Sequence, residues 1–425
     1  MFDVGITFSP GQGALLEGVI DLLDVVEIEP QTYCLRAPSG EEWIADDVLE
    51  ALAELPRPKL LHSVGVPVAN ERFDPAALAL LRRVGGRLGC EYFSEHLALN
   101  RVDVDGAGEV FTGFFLPPEA SLREAERIGR NARELARAVG LPIALETAVN
   151  YLEDASGELS DGELVARTVD AAGAGILLDL HNIWANERNG RQAVDDFIDA
   201  LPLDRVWEIH LADGCALDGF WLDAHSGLPQ PRLLELLADL LPRLPNLRSV
   251  VFELLPEHSA AIDMDAARAF LEELRRLRPT HGRRPSLVVP RPRPTGAVDG
   301  SAGAGTRAQA QAILGLDGRD GGPLAGDRGV ALYRRLIADI RFSQIVTALP
   351  RTTREACLAH GPDAFEAWMR RFCGASSPSP FPSGEALGFV DFLGSIDTLA
   401  AAARSAAAAE RAAILATLEA PERTA

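Results

Sequence analysis

At 425 residues the chain exceeds one ordinary domain, and 47% hydrophobic with 24% charged residues leaves a sizeable core in no doubt. A formal net charge of -21 argues against nonspecific binding to nucleic acid or to an anionic membrane surface, since both need a basic face. Lys59 is the only lysine, so nearly all positive charge is arginine.

The amino terminus, Met1-Phe2-Asp3-Val4-Gly5-Ile6-Thr7-Phe8, runs straight into a predicted strand without the basic and apolar regions of a signal peptide. Further strands are predicted at 25–28, 60–64, 92–97, 143–146, 175–180, 205–211 and 249–254. Helical spacing separates them, clearest in 118–139, where Leu122, Ala125, Ile128, Ala132, Leu135 and Ala136 recur, and again in 161–172 and 231–241. Eight alternating units predict an α/β fold, a (β/α)8 TIM barrel over residues 1–282. A doubly wound open sheet is the rival, but Gly11-Gln12-Gly13 is too short for its phosphate-binding loop. Residues 283–328, with Pro290-Arg291-Pro292-Arg293-Pro294 followed by Gly- and Ala-rich sequence, read as a flexible linker. Residues 329–425 turn helical again and read as a small all-α domain. No apolar run approaches the roughly 18 residues of a membrane span. Cys34, Cys90, Cys215, Cys357 and Cys373 are odd in number and lack C-x-x-C spacing, which points to a reducing cytoplasm rather than a disulfide framework.

The chemistry sits at the strand ends. Leu60-Leu61-His62, Phe93-Ser94-Glu95-His96, Ala144-Leu145-Glu146, Leu177-Leu178-Asp179, Glu208-Ile209-His210 and Val251-Phe252-Glu253 each close on an imidazole or carboxylate. A parallel barrel points all these ends at one mouth. Buried carboxylates are costly unless they pair or bind a cation, so the set is expected to hold metal, with more than one ion. Asp223-Ala224-His225 adds a carboxylate and an imidazole two residues apart, and Asp179-Leu180-His181-Asn182 offers either His181 or Asn182 to the mouth. Glu95 and Glu208 stand beside His96 and His210 as acceptors for imidazole N–H groups, or as ordinary partners. Nitrogen and oxygen ligands without cysteine suit Fe, Mn or Zn, and leave open non-haem iron oxygen chemistry, two-metal hydrolysis and sugar isomerisation. No G-x-S-x-G, Walker A or H-E-x-x-H motif is present, and Cys90 and Cys215 read as structural.

Taken together, Ser94-Glu95-His96-Leu97, Leu177-Leu178-Asp179-Leu180-His181-Asn182, Ile209-His210-Leu211-Ala212, Leu222-Asp223-Ala224-His225 and Phe252-Glu253 resemble the multinuclear non-haem iron-dependent oxidative enzymes. The resemblance covers roughly residues 1–280. It implies a TIM barrel holding two or three irons, Fe(II)/Fe(III), with O2 as co-substrate, acting at a cysteine of a ribosomally made precursor peptide. It implies His62, His96, Glu146, Asp179, Asn182, His210, Asp223, His225 and Glu253 as metal ligands, with His181 a further candidate. Two departures stand out: His181, where the family more often has Asn, and Ala212-Asp213-Gly214, where it often continues Ala-Gly-His. Members of the family commonly work with a separate partner protein that helps present the precursor, and the helical tail is expected either to supply that recognition role or to be a helical cap or dimerisation element. The rival enzymes are a xylose-isomerase-like sugar isomerase and a metal-dependent hydrolase or endonuclease.

Overall fold

Eight strands, β1 (Asp3–Phe8), β2 (Val25–Ile28), β3 (Lys59–Ser63), β4 (Phe93–His96), β5 (Ile143–Glu146), β6 (Gly175–Asp179), β7 (Val206–Leu211) and β8 (Ser249–Phe252), close into a parallel barrel in sequential order. The structure is a computed structural model, and it describes residues 1–36, 42–104, 108–153, 157–279, 283–294, 296, 302–316 and 324–419. The predicted strands are all present, so the doubly wound alternative falls: β1 pairs with both β8 and β2. Most strand residues are buried on both faces, as a sheet covered by helices requires, and every residue of β6 is buried.

Helix boundaries follow local chemistry. Leu122–Val139 begins at Ser121, whose hydroxyl accepts from Glu124 N, and ends at Gly140 in the left-handed conformation. Asp161–Ala172 has a full capping box between Ser160 and Glu163 and a left-handed Gly173. Val25, Leu60, Tyr92, Ala144, Leu177, Trp207 and Val251 pack together inside the barrel, and Leu287 packs against them. Part of the segment expected as a free linker is thus tied down: Pro285 O accepts from Arg248, and Arg293 N donates to Asp170 O at 2.8 Å. Further on, Ala304–Leu314 forms a helix. His281 lies outside the described residues.

The chain divides into two compact units. One comprises Met1–Cys34, Trp43–Leu99 and Pro117–Thr306, and contains the barrel. The other comprises Leu35–Glu42, Asn100–Leu116 and Arg307–Ala425. The expected helices of the tail are there, as Arg328–Ala348, Pro350–His360, Pro362–Ala375, Pro382–Leu393 and Ala401–Glu419. Phe365, Trp368, Met369, Phe372 and Phe389 build their core, and Arg341 is buried in a salt bridge with Glu385. This unit is more than helical, because the strands Leu99–Val104 and Gly108–Leu116 contribute most of a hairpin to it. Phe114 of that hairpin meets Tyr333 edge to face, with centroids 5.9 Å apart. Among the described residues, no helix is long and apolar enough to cross a membrane.

Candidate metal centre

Strand register assembles the mouth. His96 on β4 sits opposite Glu146 on β5, and Asp179 on β6 opposite His210 on β7. Neighbouring residues of a parallel pair point to the same face, so each imidazole meets a carboxylate. His96 Nε2 lies 3.0 Å from Glu146 Oε2, and His62 Nε2 lies 3.4 Å from the same oxygen. The far side of each ring is held: His62 Nδ1 by Ser94 Oγ at 2.9 Å, His96 Nδ1 by Glu95 Oε1 at 3.3 Å. His62, His96 and Glu146 therefore present one ligand atom each within 4.8 Å of one another. That is the arrangement of a metal site whose imidazoles are oriented from behind.

Glu146 also belongs to a second group, with Asp179, His210 and Glu253, under the same 4.8 Å limit. His210 Nδ1 stands 3.0 Å from Glu253 Oε2, and its Nε2 stands 3.1 Å from Glu27 Oε1. Burial opposes a charge on His210, but Glu27 and Glu253 outweigh it and raise its pKa. Burial pushes Glu146 up to about 8, and burial with the nearby Asp223 pushes Asp179 up to about 7. A metal ion beside these carboxylates would favour their ionised form.

A third set lies beside these. Asp179 caps the helix Leu180–Arg188, its Oδ1 accepting from Asn182 N at 2.8 Å, which fixes Asn182 at the mouth. Asn182 Nδ2 donates to Thr147 O at 3.1 Å, turning its Oδ1 away from that carbonyl. Asp223 ends the hairpin of Gly214–Leu217 and Phe220–Asp223, and its Oδ1 lies 2.7 Å from His225 Nε2. Burial would raise Asp223, but His225 and His181 hold its carboxyl below the usual range. His225 has φ of +43°, uncommon for a residue with a side chain, and its Nδ1 reaches Glu253 Oε1 at 3.3 Å.

All ten sequence-predicted site residues thus lie at one end of the barrel, with His181 reaching the others through Asp223 at 3.3 Å. Glu27 Oε1, Glu146 Oε2, Asp179 Oδ2, Asn182 Oδ1, Asp223 Oδ1, His181 Nδ1 and His225 Nε2 are buried without a well-aligned hydrogen bond, and the carboxylate and amide oxygens among them are free to take a cation. Sequence reading missed Glu27: it is fully buried, yet Val25-Val26-Glu27-Ile28 carries the same strand-end carboxylate signal as the other runs. Glu208 accepts from Tyr92 Oη and Ser249 Oγ, each at 3.1 Å, and its carboxylate also groups with Glu27 and His210, one ligand atom of each within 4.8 Å of the others. Lys59 Nζ is spent on Ala53 O and Leu55 O, both at 2.7 Å, so no lysine serves the mouth. Burial raises the Cys90 thiol to about 12, which removes it as a nucleophile, and Cys215 is exposed.

Residues 4–271 match a family profile described as "RiPP precursor modification enzyme MbnB/TglH/ChrH", where RiPP denotes a ribosomally synthesised and post-translationally modified peptide. A "UPF0276 protein" of Chromobacterium violaceum is 28% identical over 214 residues, 50% of this chain and 76% of that protein. Another, of Streptomyces avermitilis, is 27% identical over 186 residues, 43% of this chain and 38% of that protein. Among solved structures, endonuclease IV from Thermus thermophilus is 21% identical with a TM-score of 0.40, over 64% of this chain and 99% of that one. A xylose isomerase domain protein from Planctomyces limnophilus is 13% identical with a TM-score of 0.42, over 65% and 97%. Likenesses that distant say nothing about the chemistry. The profile covers more than half of the chain, and the chain belongs to the RiPP precursor modification enzymes, the multinuclear non-haem iron-dependent oxidative family.

Proposed function

We propose that the protein is an iron-dependent oxidoreductase that modifies a ribosomally made precursor peptide at cysteine, with O2 as co-substrate. One observation carries this reading: Glu146 belongs at once to the His62/His96 group and to the Asp179/His210/Glu253 group, so the two groups would hold neighbouring ions with Glu146 common to both. Asn182, Asp223 and His225 would hold a third. Iron bound there would supply the electron transfer between a substrate thiolate and O2. The chain's own residues do the rest. Ser94 and Glu95 orient His62 and His96, and Glu27 holds the second nitrogen of His210. The carboxylates offset the charge of the ions, and their burial excludes bulk water from the ligand atoms. The sugar-isomerase alternative loses support, because the only lysine is engaged away from the mouth.

In the second unit, Val110, Ile337, Phe342, Arg334 and Arg370 line a cavity of about 550 Å³. Its size lies within the usual range for ligand pockets, which favours a recognition role for that unit over a passive cap. The test is anaerobic protein loaded with Fe(II), mixed with O2 and a cysteine-bearing peptide encoded beside its gene. Peptide-dependent O2 uptake with a mass change confined to a cysteine is expected. Uptake that is indifferent to the peptide, or none, would reject the reading.

A further inference from the structure

His181 and Gly214, the two departures from the family pattern, meet in space. A Cβ at Gly214 would lie 2.6 Å from His181 Nε2 and 2.7 Å from Trp221 Nε1, and would press on the Leu222 carbonyl. Only glycine leaves room for the buried imidazole. The two nitrogens of that ring face different neighbours. Trp221 Nε1–H donates to His181 Nε2 at 3.1 Å, while Nδ1 lies 3.3 Å from Asp223 Oδ1, an electrostatic approach short of an aligned hydrogen bond. An indole nitrogen is a donor only, so Nε2 is the acceptor and the ring proton sits on Nδ1, facing Asp223. Neither nitrogen keeps a lone pair for a metal. Trp221 is itself fixed: its backbone N–H and C=O both bond the Asn189 side chain, at 2.7 and 3.0 Å, and the Arg188 guanidinium stacks 3.9 Å from its ring.

We infer that His181 is a positioning residue rather than a metal ligand. Trp221 sets its tautomer, and the Nδ1–H steers the Asp223 carboxylate toward an ion shared with Asn182 and His225. The inference rests on reading that third set as a metal position.

The test is an anaerobic Fe(II) titration of metal-free, full-length protein with a competing chelator, read by iron count and by Mössbauer spectra of iron-57. Wild type is compared with His181→Leu, Trp221→Phe and Asp223→Asn. His181→Leu should bind as many irons as wild type at saturation, with one of them held roughly 10- to 100-fold more weakly, the usual effect of losing a residue that orients a ligand. Trp221→Phe, which keeps the ring but loses the donor, should weaken the same iron and change its Mössbauer signature. Asp223→Asn should lose that iron. The inference is overturned if His181→Leu loses the iron as Asp223→Asn does while Trp221→Phe binds normally, for then His181 is a ligand. It is also overturned if neither His181→Leu nor Trp221→Phe changes any affinity. An unchanged iron count in Asp223→Asn would instead remove the third metal position itself.

Discussion

His96 sets how metal binding depends on pH, and Asp179 carries two duties that mutation can separate. Burial opposes a charge on His96, but Glu146 and Glu95 outweigh it and raise its pKa to about 9 without metal. At neutral pH an incoming ion must therefore displace a proton from this ring. Fe(II) affinity should climb as pH rises toward 9, by about tenfold per unit for each proton displaced, and level off above it. Chelator competition between pH 6 and 10 checks this, and a flat profile would contradict it. Asp179 is a candidate ligand through Oδ2 and a helix cap through Oδ1. Asp179→Asn should abolish iron binding at its group while keeping the cap, and the metal-free protein should melt no lower than wild type. Asp179→Ala should lose the cap as well, costing about 1 kcal/mol relative to Asn in denaturant unfolding.

Close approaches between elements are where the fold is least tolerant. Gly175, at the start of β6, lies against the Trp207 ring inside the barrel, and an added Cβ would overlap it. Gly175→Ala should cost roughly 1–3 kcal/mol, measured by denaturant midpoint, because the ring has no free space to move into. Arg127, on the helix Leu122–Val139, is fully buried and bonds Glu124, Ala69 O and Asn70 O. Arg127→Met should cost up to about 3–5 kcal/mol, since it removes the buried counter-charge of Glu124 and leaves that carboxylate to Arg123, Gly303 N and Thr306 Oγ1. Much of this level was legible in the sequence. Each barrel strand ends in a turn signal or a ligand residue, and the period changes from strand to helix between them. Glu27 escaped although its strand carries the same signal, because its role comes from His210, 183 residues away, which only barrel closure brings beside it. Which of His181 and Asn182 faces the mouth was not legible either, because that depends on Asp179 starting a helix instead of extending the strand.

At the scale of the whole molecule, the boundary near residue 283 describes composition better than packing. The second unit draws in Asn100–Leu116, whose partner Tyr333 lies more than 200 residues onward, a pairing that no local pattern encodes. A fragment starting at Arg307 lacks that hairpin, so it should be less stable than the same region in the full chain, with Tyr333 and Ile337 losing cover and proteolysis accelerating. Equal protease resistance in both would contradict this. The central claim concerns the barrel mouth, and its most direct test is metal analysis of anaerobically purified protein with Mössbauer spectroscopy on an iron-57 sample. Two or three irons per chain, at least two of them magnetically coupled through the shared Glu146, are expected. Zinc, manganese or magnesium without iron, or no metal at all, would contradict the account.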